Sequence, residues 1–169
     1  MKAGLKNTLV LVAICGVMAL LMAVTNFITA PVIAANEALA TEKALQQVMP
    51  AGRDFKPVDL NDALPEAVTE VYAEEGGGYV FKLKTAGYGT DFIIMCGVDA
   101  GGAVTGAVCL SSNETLGYEK EFGNRFVGLD SVGAVDTVAG ATKTTGAYRR
   151  AVADALSAAA ILRATAGEG

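Results

Sequence analysis

The stretch Asp136-Thr137-Val138-Ala139-Gly140-Ala141-Thr142-Lys143-Thr144-Thr145 places hydroxyls, small residues and one ammonium directly ahead of a helical pattern. Such a stretch suits a phosphate. Gly140 and Ala141 are small enough to let a bulky group approach the backbone, and Thr144 or Thr145 can cap the helix that follows. The free N–H groups of a helix's first turn attract an anion, and Lys143 adds positive charge beside them. On residue types alone an ordinary loop with a helix cap is the stronger reading. A second polar group, Asn113-Glu114-Thr115-Leu116-Gly117, follows an apolar strand pattern, where Glu114 is also readable as a solvated carboxylate at a strand end. Tyr72, Tyr79 and Phe81 are aromatics that a flat cofactor ring could stack on, but strand positions of this kind are more often core.

Composition narrows the chemistry. The 169 residues contain no histidine, which excludes His-based catalytic dyads, His-based zinc sites and haem ligation by histidine. No residue set reads as a catalyst in its own right. A net charge of -5 without a basic stripe excludes a nucleic-acid partner, since phosphate backbones are held by clustered Lys and Arg. Of the three cysteines, Cys15 lies inside an apolar run and behaves as a small hydrophobe. A tight hairpin through Asp99-Ala100-Gly101-Gly102 sets Cys96 opposite Thr105 and Cys109 opposite Phe92. At about 3.3 Å per residue those thiols lie roughly 13 Å apart, out of disulfide reach, so both read as packing residues.

The elements that must position these groups begin with a membrane span. No charged residue occurs between Asn7 and Asn36, and Leu9 to Ile28 is apolar enough to cross about 30 Å of hydrocarbon as a helix. Lys2 and Lys6 precede the run and Glu37 follows it, so the expected topology has a cytoplasmic N-terminus and an outer domain. The apolar run is longer than that of a cleaved signal peptide, and Cys15 sits in mid-run behind Ile14, unlike a lipoprotein cysteine. Thr25, Asn26 and Thr29 read either as interfacial residues at a helix exit closed by Pro31 or as contacts to another subunit. The expected organisation is a tip and span over residues 1–35, a stalk helix over 36–52 ending at Pro50-Ala51-Gly52, and one outer domain over 53–169. In that domain Val68 to Ala73, Tyr79 to Leu83, Phe92 to Val98 and Val104 to Leu110 read as strands of an antiparallel sheet. Tyr118 to Phe126 suggests a short charged helix. Thr145 to Arg163 is a helix whose face Tyr148, Val152, Leu156 and Ala160 repeat every four residues. The expected fold class is α+β, one transmembrane helix followed by an antiparallel sheet with helices packed on one face.

Three segments also carry a resemblance. Asp136 to Thr142 resembles the flavinylation motif Asp-x-x-Ser/Thr-Gly-Ala-Thr of the FMN-binding domain family. Asn113 to Gly117 resembles that family's Glu-Thr-Pro-Gly turn, and Ala86-Gly87-Tyr88-Gly89 resembles its Gly-Tyr-Gly lead-in. With one N-terminal helix, the whole is similar to the G subunits of Rnf electron-transport complexes, with the C subunits of sodium-pumping NADH:quinone reductases as relatives. The resemblance implies FMN held as a phosphoester on Thr142, with Gly140, Ala141, Lys143, Thr144, Thr145, Glu114, Thr115, Leu116 and Gly117 around it. It further implies electron transfer from ferredoxin towards NAD⁺ coupled to Na⁺ or H⁺ movement, partner subunits in the bilayer, and a Mg²⁺-dependent flavin transferase that uses FAD for maturation. The sequence departs from the pattern at Ala139, where Ser or Thr is usual, and at Leu116, where Pro is usual. An anchored flavin-binding module without electron-transfer partners and a purely structural subunit are the competing readings.

Overall fold

The computed structural model describes residues 2–60, 62–113 and 117–166, with side chains from residue 8 onward. The chain divides into two compact units, Met1–Thr41 and Glu42–Gly169. Helix α1 runs over Lys2–Val48, and from Thr8 to Ala40 every side chain is exposed, the arrangement expected of an apolar helix whose solvent is lipid. It is long and apolar enough to span a membrane. The Thr25 and Thr29 hydroxyls donate to the Leu21 and Thr25 carbonyls, each at 2.9 Å, so the helix satisfies them itself.

The expected helix exit at Pro31 and a separate stalk are both corrected. Pro31 lies inside α1, and residues 36–48 are its continuation. Proline removes one N–H donor and crowds the carbonyl four residues back, a defect that membrane-type helices tolerate when helical sequence continues on both sides. Within the second unit, the last turns of α1 bury Ala44, Leu45 and Val48, followed by Met49.

These residues rest on a five-stranded antiparallel meander in the order β1-β2-β3-β4-β5. The strands are β1 (Lys56–Val58), β2 (Val68–Ala73), β3 (Tyr79–Thr85), β4 (Phe92–Val98) and β5 (Val104–Ser111). The short β1 escapes sequence patterning because three residues containing Pro57 show no alternation. One sheet face carries Val71, Phe81, Leu83, Ile94, Cys96 and Ala107 beneath helix α2 (Thr142–Ala166). The other carries Val80 and Met95 against the end of α1. Burial on both faces explains why β4 reads as a near-continuous apolar run.

The face expected for α2 turns as the helix proceeds. Tyr148 and Val152 are fully buried, Leu156 is half-buried and Ala160 is exposed, while Ala151, Ala155, Ala158 and Ala159 are fully buried. A strict four-residue repeat drifts about 40° per step against 3.6 residues per turn, so its third repeat leaves the core. The expected charged helix over Tyr118 to Phe126 is two 3₁₀ segments, Tyr118–Lys120 and Phe122–Phe126.

The β4–β5 hairpin is longer than a tight turn. The Asp99 N–H donates to the Ala103 carbonyl, Gly102 adopts a φ of 96°, and a bulge makes Gly97 face Gly106 while Val98 faces Val104. Cys96 therefore pairs with Ala107 and Cys109 with Ile94, correcting the expected register, and neither cysteine forms a disulfide. Burial raises the Cys96 thiol to about 12, as befits a packing residue. The bulged residue, Thr105, donates from Oγ1 to the Val48 carbonyl at 2.6 Å and so closes the end of α1. Gly97 and Gly106 let that end lie flush on the sheet: a Cβ on Gly106 would stand 2.6 Å from the Val48 oxygen.

Two outcomes follow from this face. Gly106→Ala is expected to destabilise the second unit by roughly 1–3 kcal/mol, because backbone must move to admit one methyl group. Thermal melting of the full chain checks it, and an unchanged midpoint would contradict the packing. Nearby, burial works to raise the Glu70 carboxyl, but the Lys82 ammonium at 2.6 Å and the Tyr72 hydroxyl hold it below its ordinary 4.5. A depressed carboxylate stabilises above the unfolded value and loses that contribution as pH falls through its folded value. Wild type should therefore melt above Glu70→Gln at pH 7, with the gap closing below pH 4.5.

Candidate functional site

The β3–β4 connection, the end of β5 and the start of α2 meet at the sheet end opposite the hairpin tips. The tips lie at the other end of α2, where Arg163 donates to the Ala100 carbonyl at 3.1 Å. At the near end, the Ala141 N–H donates to the Val138 carbonyl at 3.0 Å, closing a turn whose third residue is Gly140 with a φ of 83°. A side chain in that conformation costs about 1–2 kcal/mol, and glycine avoids it. Nothing lies within 4 Å of where a Gly140 Cβ would be, so the space over the loop is open.

The neighbouring threonines differ in burial. Thr142 is exposed at the first residue of α2, and its hydroxyl reaches the Val138 carbonyl at 3.4 Å. Thr144 and Thr145 are buried. Thr145 Oγ1 accepts from the Val138 N–H at 3.1 Å and donates to the Ala141 carbonyl at 2.9 Å, so it lies beneath the loop and bridges it to the helix. Lys143 is exposed, with Nζ 5.7 Å from the centre of the Tyr88 ring. That contact brings the Gly-Tyr-Gly segment beside the Thr142 loop. Arg150 reaches the Ala86 carbonyl at 3.4 Å from the same helix.

Asn113 and Gly117, the described ends of the second polar group, are close by. Asn113 donates to the Thr90 carbonyl at 3.5 Å, and Gly89 lies so near Asn113 that a Cβ there would stand 3.1 Å from that residue's own. Glu114, Thr115 and Leu116 lie outside the described residues. Gly117 has a φ of 69° and lines a cleft of about 500 Å³ with Tyr118, Lys120, Phe122, Arg125 and Val138. That volume is in the range of small-cofactor sites. Lys120 and Arg125 escape notice as cleft-lining residues in the sequence because their charges read as the solvated face of a helix. Under the same segment Glu119 is buried, and Ser112 donates to its Oε1 at 3.1 Å, tying β5 to the 3₁₀ segment.

Of the candidate stacking aromatics, Phe81 is fully buried, Tyr79 packs against the core, and Tyr72 hydrogen-bonds Glu70 on the opposite face. The aromatics under the site are others. Tyr148 stacks on Phe126 at 6.0 Å and meets Phe92 and Phe122 edge-on, beneath the cleft.

Residues 1–48 match the family model for the RnfG N-terminal region, which ends where α1 ends. Residues 87–157 match the model for the FMN-binding domain, beginning at the Gly-Tyr-Gly segment and reaching into α2. The chain is 30% identical over 161 residues, 84% of its own length and 78% of the relative's, to the G subunit of the Na(+)-translocating ferredoxin:NAD(+) oxidoreductase complex of Acetobacterium woodii.

Burial, with the nearby Cys96 and Cys109 thiols, raises the Tyr148 hydroxyl far above its ordinary range, and among the described residues its oxygen has no hydrogen-bond partner. Since an unsatisfied buried hydroxyl carries its full desolvation cost, Tyr148→Phe is expected to leave the melting temperature unchanged or raise it. A drop of several degrees would reveal a partner for this group.

Proposed function

This chain belongs to the RnfG family, and from that premise we propose that it carries FMN as a phosphoester on the Thr142 hydroxyl and relays electrons within a membrane complex. The observation that carries the attachment is the contrast in burial: of the three threonines in Thr142-Lys143-Thr144-Thr145, Thr142 is exposed while Thr144 and Thr145 are buried. The surrounding residues fit the cofactor. Thr142 opens a helix of 25 residues, so the first-turn N–H groups favour a phosphate, and Gly140 leaves the approach to the loop open. Lys143 stands beside the phosphate position, while Gly117, Tyr118, Lys120 and Arg125 line a cleft for the rest of the molecule.

Bound FMN supplies reversible electron uptake and release, and the chain supplies position and electrostatics. A covalent link prevents loss of the flavin on the outer side of the membrane. Attachment takes the FMN phosphoryl group from FAD: a bond forms between Thr142 Oγ1 and phosphorus, the pyrophosphate bond breaks, AMP leaves, and the hydroxyl proton passes to a base of a Mg²⁺-dependent flavin transferase. Lys2 and Lys6 ahead of the span, with Glu37 after it, support a cytoplasmic N-terminus and an extracytoplasmic flavin domain. In the complex, electrons pass between ferredoxin and NAD⁺ with coupled Na⁺ or H⁺ movement, and α1 joins the other subunits in the bilayer.

The test is intact mass with peptide mapping on protein co-expressed with a flavin transferase. Wild type should gain FMN less water on the peptide containing Thr142, and Thr142→Val should keep its fold and carry no covalent flavin. Flavin retained on the denatured variant would refute the site.

A further inference from the structure

We propose that Thr145 is a positioning residue for flavin attachment: its buried hydroxyl holds the acceptor loop in the shape that presents Thr142 to the transferase. The inference rests on Thr142 being the attachment point, and goes beyond it by saying what makes that threonine a competent acceptor.

Residues 131–141 contain no helix or strand; Val135 and Ala141 anchor the stretch in the core and Arg149 donates to the Val132 carbonyl, while Ala139 and Gly140 at the turn are exposed, with open space where a Gly140 Cβ would be. Thr145 is completely buried, so its bonds do not exchange with water. Through one oxygen it engages both ends of the turn, accepting from the Val138 N–H and donating to the Ala141 carbonyl. Its own N–H donates to the same Ala141 carbonyl at 2.9 Å. Val138 in turn receives the Ala141 N–H and the Thr142 hydroxyl on its carbonyl. The backbone from Val138 to Thr142 is therefore closed into a set of bonds around one side chain, and Thr142 leaves that set in one direction.

Phosphoryl transfer makes this matter. Thr142 Oγ1 must approach phosphorus roughly in line with the pyrophosphate bond that breaks as AMP departs and the proton goes to the transferase's base. A displacement on the order of 1 Å lowers such rates by up to about 100-fold. Thr145 touches neither FAD nor the reacting oxygen, and acts only through the loop. Thr145→Val keeps the volume and removes both bonds of the hydroxyl, whereas Thr145→Ser keeps the hydroxyl.

The experiment measures the rate of FMN attachment to the full chain in detergent, with purified flavin transferase, FAD and Mg²⁺, by intact mass. Each variant is assayed well below its own melting temperature, where the folded fraction is essentially complete and a merely structural defect leaves the rate untouched. The expected result is attachment at least about tenfold slower in Thr145→Val, with Thr145→Ser close to wild type. Wild-type attachment in Thr145→Val would overturn the inference, as would Thr145→Ser as slow as Thr145→Val. Wild type left unlabelled at Thr142 beside a labelled control substrate would instead overturn the attachment site itself, and this inference with it.

Discussion

The close seating of α2 on the sheet, made possible by a face of alanines, is the contact from which the rest of the domain takes its geometry. Ala147, Ala151, Ala155, Ala158 and Ala159 are all fully buried, and the helix packs over β3 and β4. Alanine loses no side-chain entropy on burial and keeps the helix and strand backbones close. Larger side chains at these positions would lift the helix and open the aromatic cluster of Phe92, Phe122, Phe126 and Tyr148. Because the core fixes the helix axis, the position of its first residue is fixed too. Thr142 stands on an exposed surface at the head of α2 yet inherits the precision of a packed element.

The opposite face obeys a different constraint. Gly97 and Gly106 face each other across β4 and β5, and the Val48 backbone lies on them, with the bulged Thr105 taking the role of helix stop. The same side chains that cover Val80 and Met95 are thus the last turns of the helix whose earlier part spans the membrane. A sheet buried on both faces cannot slip in register without exposing one of its two cores, so the end of α1 and the start of α2 are both tied to one stiff layer.

Around the candidate site, legibility varies from residue to residue. Gly140, Ala141, Thr142 and Lys143 stand out through the motif they resemble, since by residue type alone the same stretch also suits an ordinary loop with a helix cap. The roles of Thr144 and Thr145 are not legible, since adjacent threonines look alike in sequence and only helix phase separates the exposed Thr142 from the buried pair. The proximity of Tyr88 to Lys143 joins segments more than fifty residues apart, a contact no local pattern encodes. Lys120 and Arg125 are hidden for a related reason: two 3₁₀ segments share the composition of a charged helix but turn their side chains differently.

By itself, the sequence determined what depends on composition and short-range periodicity. The span follows from an uninterrupted apolar run, the strands from apolar patterns bounded by turn residues, and the α2 helix from its repeat. Tertiary structure decided what depends on contacts between distant segments. It joined the span to its supposed stalk across Pro31, shifted the β4–β5 register through a bulge that reaches Val48, and buried one threonine while exposing another three residues away. The physical reason is common to all three: local preferences at these points are nearly balanced, and packing against a distant element supplies the small free-energy difference that selects one outcome.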